Sequence, residues 1–390
     1  MKRRERLNHK YHNPNGPIVH VIGEFASAGA ESVMRDLAIE LVAQGREVEV
    51  WRFYRAAEIH PGDQKAACAE EIFTSELEAG GVTVRAIDKR VNKDYSRTWK
   101  RIRVFARQAK PAVVHTHLEE ISFHTCAALV GTRIPIVQTM HSDRIRRVAL
   151  LRHFFRYRCR RFVCISEAIK KQTSRYVPER KLVLIANGIP LKAFTVADRD
   201  YSGEVRSLVA AGRLTEAKNH HMMLEAFGRI VKWCLRDGRE PPILTIWGEG
   251  ELRADLEEFV DQRGLRDFVR LPGTTDRMAR ELRDADIYLM SSDYEGMSIS
   301  LLEAMASALP IVTTAVSGAK DLLRDGESAC VSDIGDADAF ANHVRKLMSE
   351  PDLRARLGQA ATVTASKFSI VVCAERHRAL YDSLHNGISF

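Results

Sequence analysis

The sequence has no long apolar run, no closely paired cysteines and no hydrophobic leader. No stretch of the 390 residues approaches the roughly 18 apolar residues that a membrane-spanning helix needs. The seven cysteines are scattered and none belongs to a CxxC pair, which argues against a zinc site or a disulfide framework. The basic N-terminus, residues 1–10, has no apolar segment behind it, so we expect no secretory signal. These absences favour a reducing, cytoplasmic compartment.

Acidic residues are scarce in the first half of the chain. Residues 1–190 carry 34 Lys and Arg against 20 Asp and Glu, a net charge of +14, whereas residues 191–390 have a net charge of −6. Such asymmetry suggests an anionic partner for the first half: a membrane surface, a nucleic acid or an acidic substrate. Solubility alone explains the composition equally well.

The residues that are present indicate a globular α/β protein. Apolar residues make up 45% and charged residues 28%, and the length predicts two domains. Apolar runs alternate with segments of helical spacing in both halves. We predict strands at 18–22, 47–53, 82–84, 112–115, 135–139, 162–165 and 182–185, then at 207–211, 243–247, 269–271, 287–290 and 311–314. We predict helices at 31–44, 98–109, 122–129 and 166–176, then at 220–233, 251–263, 278–284, 299–307, 337–349 and 352–367.

This alternation predicts two Rossmann-like domains, each a doubly wound parallel sheet, facing a central cleft. The predicted domains are 1–190 and 191–367. Ligands of such sheets bind at the carboxyl ends of strands, so residues that follow strands are the candidates for function.

One candidate motif follows the strand predicted to end at Met290. Glu295 precedes a helix, and Glu303 lies inside that helix, eight residues further on. Between them, the amides of Gly296, Met297 and Ser298 would be free donors at a helix N-terminus, which is a ready anion site. The carboxylates would suit sugar and ribose hydroxyls. Alternatively, Glu295 is an ordinary helix N-terminal charge and Glu303 a solvated residue.

A second candidate motif follows the strand predicted at 207–211. Gly212 permits a tight turn, and Arg213 and Lys218 would project from the same loop. A guanidinium and an ammonium together are a common clamp on a diphosphate. Either residue alone is more often a surface charge.

These motifs occur in order with several others. They are Gly29-Ala30-Glu31, Val114-His115-Thr116-His117, Thr139-Met140-His141, Asn187-Gly188-Ile189, Gly212-Arg213-Leu214 with Lys218-Asn219, Trp247-Gly248-Glu249-Gly250, Leu271-Pro272-Gly273 and Glu295 to Glu303. Together they resemble the retaining nucleotide-sugar glycosyltransferases of family 4, which have the GT-B fold. The resemblance covers nearly all of the chain after residue 17. It also implies that a closing helix within residues 368–390 packs on the first domain.

The resemblance implies a role for each matched residue. Arg213 and Lys218 would hold the leaving diphosphate, Glu295 would contact the donor sugar, and His141 would lie against that sugar. These four are the expected catalytic residues. The expected donor-binding residues are Gly29, Gly212, Arg213, Lys218, Gly273, Glu295, Gly296, Met297, Ser298 and Glu303. His115 and His117 are candidates for the acceptor or sugar side, and a purely structural role fits them equally well. Family members often have a second glycine where Ala28 stands, so the phosphate geometry is expected to differ in detail.

The implied reaction moves a sugar from a nucleotide diphosphate sugar, with UDP sugars favoured, to a hydroxyl acceptor with retention of anomeric configuration. Such an enzyme would be a hexosyl- or N-acetylhexosaminyltransferase with no cofactor and no catalytic metal, because positive side chains and a helix N-terminus can neutralise the diphosphate. A lipid-linked or polysaccharide intermediate of cell-surface glycan synthesis is the expected acceptor. Two alternatives remain, a sugar-nucleotide epimerase of the same fold and a non-catalytic partner protein.

A basic segment spans residues 144–161. It contains eight arginines, and no acid occurs between Asp143 and Glu167. Apolar residues at helical spacing predict a basic amphipathic helix, which suits an anionic lipid surface. The expected membrane-surface residues are Arg144, Arg146, Arg147, Arg152 and Arg156, and the expected location is peripheral, on the inner face of the plasma membrane. Alternatively, the apolar side packs in the core. No nucleic-acid motif accompanies the charge.

Overall fold

The computed structural model describes residues 11–25, 29–91, 93–141, 148–196 and 198–386. The chain forms two compact units. Unit 1 extends to Gly188 and resumes at Ile370, and unit 2 is Ile189–Ser369. Each unit has its own apolar core.

Unit 1 is built on a seven-stranded parallel sheet in the order β3-β2-β1-β4-β5-β6-β7. All five residues of β1 are buried, as expected for a central parallel strand covered on both faces. The strands are β1 (Ile18–Ile22), β2 (Val48–Arg52), β3 (Thr83–Ala86), β4 (Val113–Thr116), β5 (Ile136–Met140), β6 (Arg161–Cys164) and β7 (Leu182–Leu184).

Helices connect these strands. They are α1 (Gly29–Ala43), α2 (Ala56–Ile59), α3 (Gln64–Ala79), α4 (Tyr95–Ala109), α5 (Glu119–Ala128), α6 (Val148–Leu150), α7 (Arg156–Arg158) and α8 (Glu167–Ser174). A π-helical turn, Leu151–Phe155, joins α6 to α7, and a 3-10 turn, Glu179–Lys181, precedes β7. Ser166 caps α8 by accepting a hydrogen bond from the amide of Ile169, as its residue type and position predict.

Unit 2 has a six-stranded parallel sheet in the order β10-β9-β8-β11-β12-β13. The strands are β8 (Ser207–Ala211), β9 (Ile243–Trp247), β10 (Val269–Gly273), β11 (Ile287–Met290), β12 (Ile311–Thr314) and β13 (Cys330–Ser332). The helices are α9 (Leu191–Phe194), α10 (His220–Arg236), α11 (Arg253–Gln262), α12 (Met278–Asp284), α13 (Ile299–Ala306), α14 (Ser317–Lys320), α15 (Ala337–Ser349) and α16 (Pro351–Ala365). A 3-10 turn spans Glu216–Lys218.

The last helix, α17 (Ile370–Asn386), belongs to unit 1. It packs against α1, and an ion pair joins Arg46 to Asp382 at 2.5 Å. Its buried residues include His377 and Tyr381, so this helix covers part of the central sheet with polar side chains.

The predicted doubly wound parallel sheets are confirmed in both units. In each unit the strand order reverses beside the first strand, between β1 and β4 and between β8 and β11. Ligands of open α/β sheets bind at this switch point. The sequence did not predict α3 or β13, and α3 buries only Phe73 and Leu77, so its helical periodicity is weak.

Candidate active site

The candidate site of unit 2 lies at the switch point of its sheet. β8 and β11 are hydrogen-bonded neighbours, and each is followed by a loop that contains predicted site residues. We name these loop 212–219 and loop 291–298. Because the carboxyl ends of parallel strands meet at one edge of a sheet, the two predicted motifs are brought together there.

Loop 212–219 is fixed by a buried leucine and a helix cap. Leu214 is fully buried, and its amide donates to the Glu249 carbonyl at 2.9 Å. Asn219 has a left-handed backbone, with φ of 44°, which asparagine tolerates better than most residues. Its side-chain oxygen accepts a hydrogen bond from the amide of Met222 at 3.2 Å and so caps α10. Arg213 and Lys218 therefore project from an anchored loop.

Besides the contact between Lys218 and Glu295, three hydrogen bonds connect the two loops. The Asn219 amide group donates to Asp293 Oδ1 at 2.8 Å, and the Asp293 amide donates to the Ala217 carbonyl at 3.0 Å. The Ser291 hydroxyl donates to the Lys218 carbonyl at 2.9 Å. These bonds fix loop 291–298 against the backbone that carries Lys218.

Lys218 and Glu295 form an ion pair. Their side chains are only 19% and 17% exposed, so solvent screens the pair less than it would on an open surface. Arg213 is exposed, and its guanidinium has no hydrogen bond or ion pair to the described residues. The edge of the sheet therefore presents one paired and one unpaired cation.

The N-terminus of α13 follows directly. Ser298 caps the helix by accepting from the Leu301 amide at 3.4 Å, and Met297 is buried. The Ser300 hydroxyl donates to the Ala211 carbonyl at 2.8 Å and accepts from the Tyr288 hydroxyl at 2.8 Å. Burial raises the pKa of Tyr288, so the phenol keeps its proton for this bond. The start of α13 is thus fastened to the end of β8.

Three further predicted donor residues belong to unit 2. Glu303 lies on α13 and is partly buried, as is Gly296. Gly273 ends β10 and is buried, and a Cβ there would stand 2.7 Å from Glu249 Oε1.

Two glycines permit close backbone approach around the loops. Gly248 follows β9 with φ of 145°, and a Cβ there would stand 1.9 Å from the Gly212 carbonyl oxygen. Gly318 donates its amide to the Glu295 carbonyl at 3.1 Å, and a Cβ there would stand 2.8 Å from that oxygen. Larger residues would displace the backbone of Gly212 or Glu295.

The predicted histidines His115 and His117 lie at the switch point of the unit 1 sheet, together with His20, which was not predicted. His20 of β1 and His115 of β4 are register partners, so they share one face of the sheet, and His117 follows two residues later. His115 is held at both nitrogens, by Tyr381 Oη at 2.6 Å and by Thr139 Oγ1 at 2.7 Å.

His141 and His377 lie next to these three histidines. We name the five residues the histidine cluster: His20, His115, His117, His141 and His377. Burial lowers the pKa of His20 to about 3, and it lowers the pKa of His141 and of His377 to about 4. Burial and neighbouring histidines lower the pKa of His115 and His117 well below the usual value. The whole cluster is therefore neutral near pH 7. The His141 ring centroid is 5.7 Å from that of His117.

Two family models match the chain. The model described as Glycosyltransferase Family 4 matches residues 27–193, and the model described as Glycosyl transferases group 1 matches residues 200–364. Together they account for most of the sequence.

The chain belongs to family 4 of the group 1 glycosyltransferases.

Curated relatives of this family 4 chain include enzymes of bacterial surface glycans. A lipopolysaccharide core biosynthesis glycosyltransferase, LpsE of Rhizobium meliloti, is 29% identical over 50% of this chain and 56% of its own length. The chain thus spans little more than half of that protein's length. An Escherichia coli protein named UDP-Gal:alpha-D-GlcNAc-diphosphoundecaprenol alpha-1,3-galactosyltransferase is 24% identical over 70% of this chain and 76% of its own length.

Solved structures show the fold of the family 4 chain. HepE of Anabaena, crystallised with UDP-glucose, matches with a TM-score of 0.79 over 94% of this chain and all of HepE, at 16% identity. With the two parallel sheets described above, this likeness confirms the predicted GT-B fold.

The basic segment of the family 4 chain differs from the predicted helix. Among the described residues of this segment, helical structure ends at Arg158, and Arg161 begins β6 and pairs with Val137 of β5. Leu151 and Phe155 are fully buried, so the apolar side packs inside unit 1. Sheet pairing and core packing thus override the continuous helical pattern.

Two of the predicted membrane-surface arginines are described. Arg152 is exposed and Arg156 is partly exposed, whereas Arg144, Arg146 and Arg147 lie outside the described residues. Arg158 donates to the carbonyls of Leu129 at 3.0 Å and Ile134 at 3.3 Å, so it serves the fold. Gly29 is the first residue of α1 and is exposed, and Ala28 lies outside the described residues.

Sequence reasoning missed several residues that fix the site. Asn219 and Asp293 were recognised only as parts of motifs, although their pairing follows once β8 and β11 are placed side by side. His20 carried no local signal, because its partner, His117, is 97 residues away. Ser300 was missed because a helical serine ordinarily faces solvent.

Proposed function

We propose that this chain transfers a sugar from a nucleotide diphosphate sugar to a hydroxyl acceptor in cell-surface glycan synthesis. The observation that carries the proposal is the ion pair of Lys218 and Glu295 at the switch point of unit 2, on the same loop as Arg213, which has no partner in the described part of the chain. Two cations and a capped helix N-terminus at one sheet edge suit a diphosphate. A carboxylate at the same point suits sugar hydroxyls.

In the proposed reaction, the diphosphate displaces the Glu295 carboxylate from the Lys218 ammonium. Glu295 then becomes free to accept hydrogen bonds from the donor sugar. Arg213 and Lys218 neutralise the charge that develops on the leaving diphosphate, which is where electrostatic stabilisation contributes most. We propose that these side chains serve in place of a metal ion. Glu303, on α13, would hold the ribose hydroxyls.

The proposed stereochemistry is retention of the anomeric configuration. The acceptor hydroxyl attacks the face of the sugar from which the diphosphate departs, and the departing phosphate takes the proton of that hydroxyl. The C–O bond to the acceptor forms as the bond to the diphosphate breaks. We place His141 against the donor sugar and His117 on the acceptor or sugar side, and we assign a structural role to His115, whose two ring nitrogens are engaged by Tyr381 and Thr139.

The relatives support a choice of substrates. One is named for lipopolysaccharide core biosynthesis and one for a UDP-Gal donor with a diphosphoundecaprenol acceptor, and HepE was crystallised with UDP-glucose. We therefore propose a UDP-hexose or UDP-N-acetylhexosamine donor and a lipid-linked or polysaccharide acceptor.

A lipid-linked acceptor calls for a surface that meets anionic lipid, and we propose that unit 1 supplies it. α4 contains five basic residues and no acidic residue, and α5 packs against both α4 and the π-helical turn. Arg97, Lys100 and Arg107 of α4 are exposed, as is Arg152. We name these four residues the basic surface. The proposed contact is electrostatic, because Leu151 and Phe155 of the π-helical turn are buried. We propose that it is made at the inner face of the plasma membrane. No helix in the described part of the chain is long and apolar enough to cross a membrane.

The function is tested by incubating the protein with a panel of nucleotide sugars, with and without a polyprenyl-diphosphate sugar, and identifying products by mass spectrometry. The proposal predicts a glycosylated acceptor and one equivalent of nucleoside diphosphate from one donor. An isomerised nucleotide sugar formed without acceptor would instead establish the epimerase. No thermal stabilisation by any nucleotide sugar and no product would favour a non-catalytic partner protein.

A further inference from the structure

His20 and His117 make a direct contact inside unit 1. His20 Nδ1 is 2.9 Å from His117 Nε2, and their ring centroids are 5.2 Å apart in a stacked arrangement. His20 is completely buried and His117 is 4% exposed. The contact joins a residue of the central strand β1 to one that follows β4, at the switch point of the sheet.

Each ring of the pair uses one of its two nitrogens for the contact. Both rings are neutral near pH 7, so each carries one proton, and one of the two facing nitrogens donates while the other accepts. His20 Nε2 and His117 Nδ1 have no hydrogen-bond partner among the described residues. His117 is thus held through Nε2, and its Nδ1 is the nitrogen that remains for a ligand.

A metal ion is the competing explanation. Three histidines, His20, His115 and His117, each offer one ring nitrogen, and these three nitrogens lie within 4.8 Å of one another. However, the 2.9 Å separation in the pair is a hydrogen-bond distance, shorter than the about 3.3 Å between two nitrogens on a tetrahedral zinc ion. Both nitrogens of His115 are already engaged by hydroxyl groups. The geometry therefore favours a hydrogen-bonded pair.

We propose that His20 is a positioning residue for His117. It fixes the orientation of the His117 ring and the nitrogen that carries the proton, and it leaves Nδ1 for the hydroxyl groups of the sugar or acceptor. The ligand in this inference rests on the proposed transferase function, whereas the fixed tautomer is a property of the protein itself. The two parts can therefore fail separately.

The tautomer is tested first, without substrate. The ring nitrogens of ¹⁵N-histidine-labelled protein are observed by long-range proton–nitrogen NMR at pH 7 in wild type and in His20→Phe. The proposal predicts well-separated nitrogen shifts for His117 in wild type, which means one tautomer, and averaged shifts in His20→Phe. Averaged shifts in wild type, or shifts that His20→Phe leaves unchanged, would overturn it. Metal titration completes the test: tetrahedral Co²⁺ absorption bands that depend on His20 and His115 would establish the metal site instead.

The effect on turnover is tested by a matched set of substitutions. An asparagine amide nitrogen lies one bond beyond Cγ, as imidazole Nδ1 does, whereas a glutamine amide lies one bond further out. His20→Asn should therefore keep the contact with His117, and His20→Gln and His20→Phe should lose it. We expect kcat/KM to fall about 10- to 100-fold in the latter two and to stay within threefold of wild type in His20→Asn, with thermal stability followed in each variant.

A structural role alone predicts a different order. If activity followed Tm across the three variants, with no recovery specific to asparagine, the positioning role would be wrong. If wild type transferred no sugar while the NMR result held, the proposed function would fail and the fixed tautomer would stand.

Discussion

At the scale of single residues, the site depends on which charges are already paired. Glu295 neutralises Lys218, while Arg213 is unpaired among the described residues. In the proposed reaction, a diphosphate therefore competes with a carboxylate for one of its two cations. We expect the ion pair to keep the two side chains in place and to weaken the affinity for the diphosphate.

Glu295→Gln separates these two effects. The variant removes the competing charge, so the nucleoside diphosphate product should bind up to about fivefold more tightly, since a partly exposed ion pair contributes about 1 kcal/mol. Sugar transfer should fall, because the amide is a weaker acceptor for the sugar hydroxyls. Calorimetry gives the affinity and product release gives the rate. A tenfold weaker affinity for the nucleoside diphosphate in a folded variant would show that Glu295 does not compete for Lys218.

At the scale of elements, loop 212–219 and loop 291–298 are connected by side chains to which we assign no contact with the substrate. Asn219 performs two tasks, since its oxygen caps α10 and its amide donates to Asp293. The loop geometry therefore depends on a helix that begins there and on the loop that follows the neighbouring strand.

An exchange of Asn219 and Asp293 tests this connection. Asn219→Asp keeps a capping oxygen and a residue that tolerates a left-handed backbone, but it places two carboxylates face to face. We expect kcat/KM to fall at least tenfold with a Tm change of only a few degrees. Adding Asp293→Asn restores a donor and an acceptor in reversed order, so the double variant should recover most of the activity. Additive losses in the double variant would contradict a direct interaction.

The basic surface of unit 1 gives a second prediction at this scale. We expect the protein to float with vesicles that contain anionic lipid and to remain in solution with neutral vesicles, and we expect salt to release it. Replacing Lys100, Arg107 and Arg152 by glutamine should abolish flotation. The control replaces exposed arginines of unit 2, Arg236 and Arg277, in the same way. Equal binding to neutral vesicles, or equal losses in both variants, would reject the basic surface as the contact.

At the scale of the whole molecule, the two units differ in their response to acid. In the histidine cluster of unit 1, burial lowers the pKa of His20 to about 3 and the pKa of His141 and His377 to about 4, below the unfolded value of about 6.5. Between these values the unfolded chain binds protons that the folded cluster does not bind. The contribution of these histidines to the stability of unit 1 is therefore fully present above about pH 6.5 and is lost as the pH falls towards 4.

We predict that unit 1 loses stability before unit 2 on acidification. In unit 1, His20, His141 and His377 each contribute a loss of about 1.4 kcal/mol per pH unit between the unfolded and the folded pKa, whereas in unit 2 burial lowers the pKa of His220 to about 4. Hydrogen exchange at pH 7 and pH 5, corrected for intrinsic rates, should show earlier loss of protection in β1 and β4 than in β8 and β11. Equal or earlier loss in unit 2 would contradict the assignment.

Much of this molecule follows from its sequence, and the exceptions have physical causes. Both sheets were predicted from apolar strands that alternate with helices, because the spacing of apolar residues and their β-branching indicate which segments are buried strands. The helix α3 was missed because it buries only two side chains. The basic segment was predicted as one helix, because local periodicity does not show that Arg161 pairs with β5. Lys218 and Glu295 were predicted as separate contacts, and their pairing required knowing that β8 lies beside β11.

The central claim is that Arg213 and Lys218 hold a leaving diphosphate, and Arg213→Ala tests it most directly. Steady-state release of nucleoside diphosphate is compared in wild type, in Arg213→Ala and in Arg236→Ala, an exposed arginine of the same unit outside the site. We predict that kcat/KM falls about 10²- to 10³-fold in Arg213→Ala, with an unchanged Tm, and stays at the wild-type value in Arg236→Ala. A kcat/KM near wild type in folded Arg213→Ala would contradict the claim.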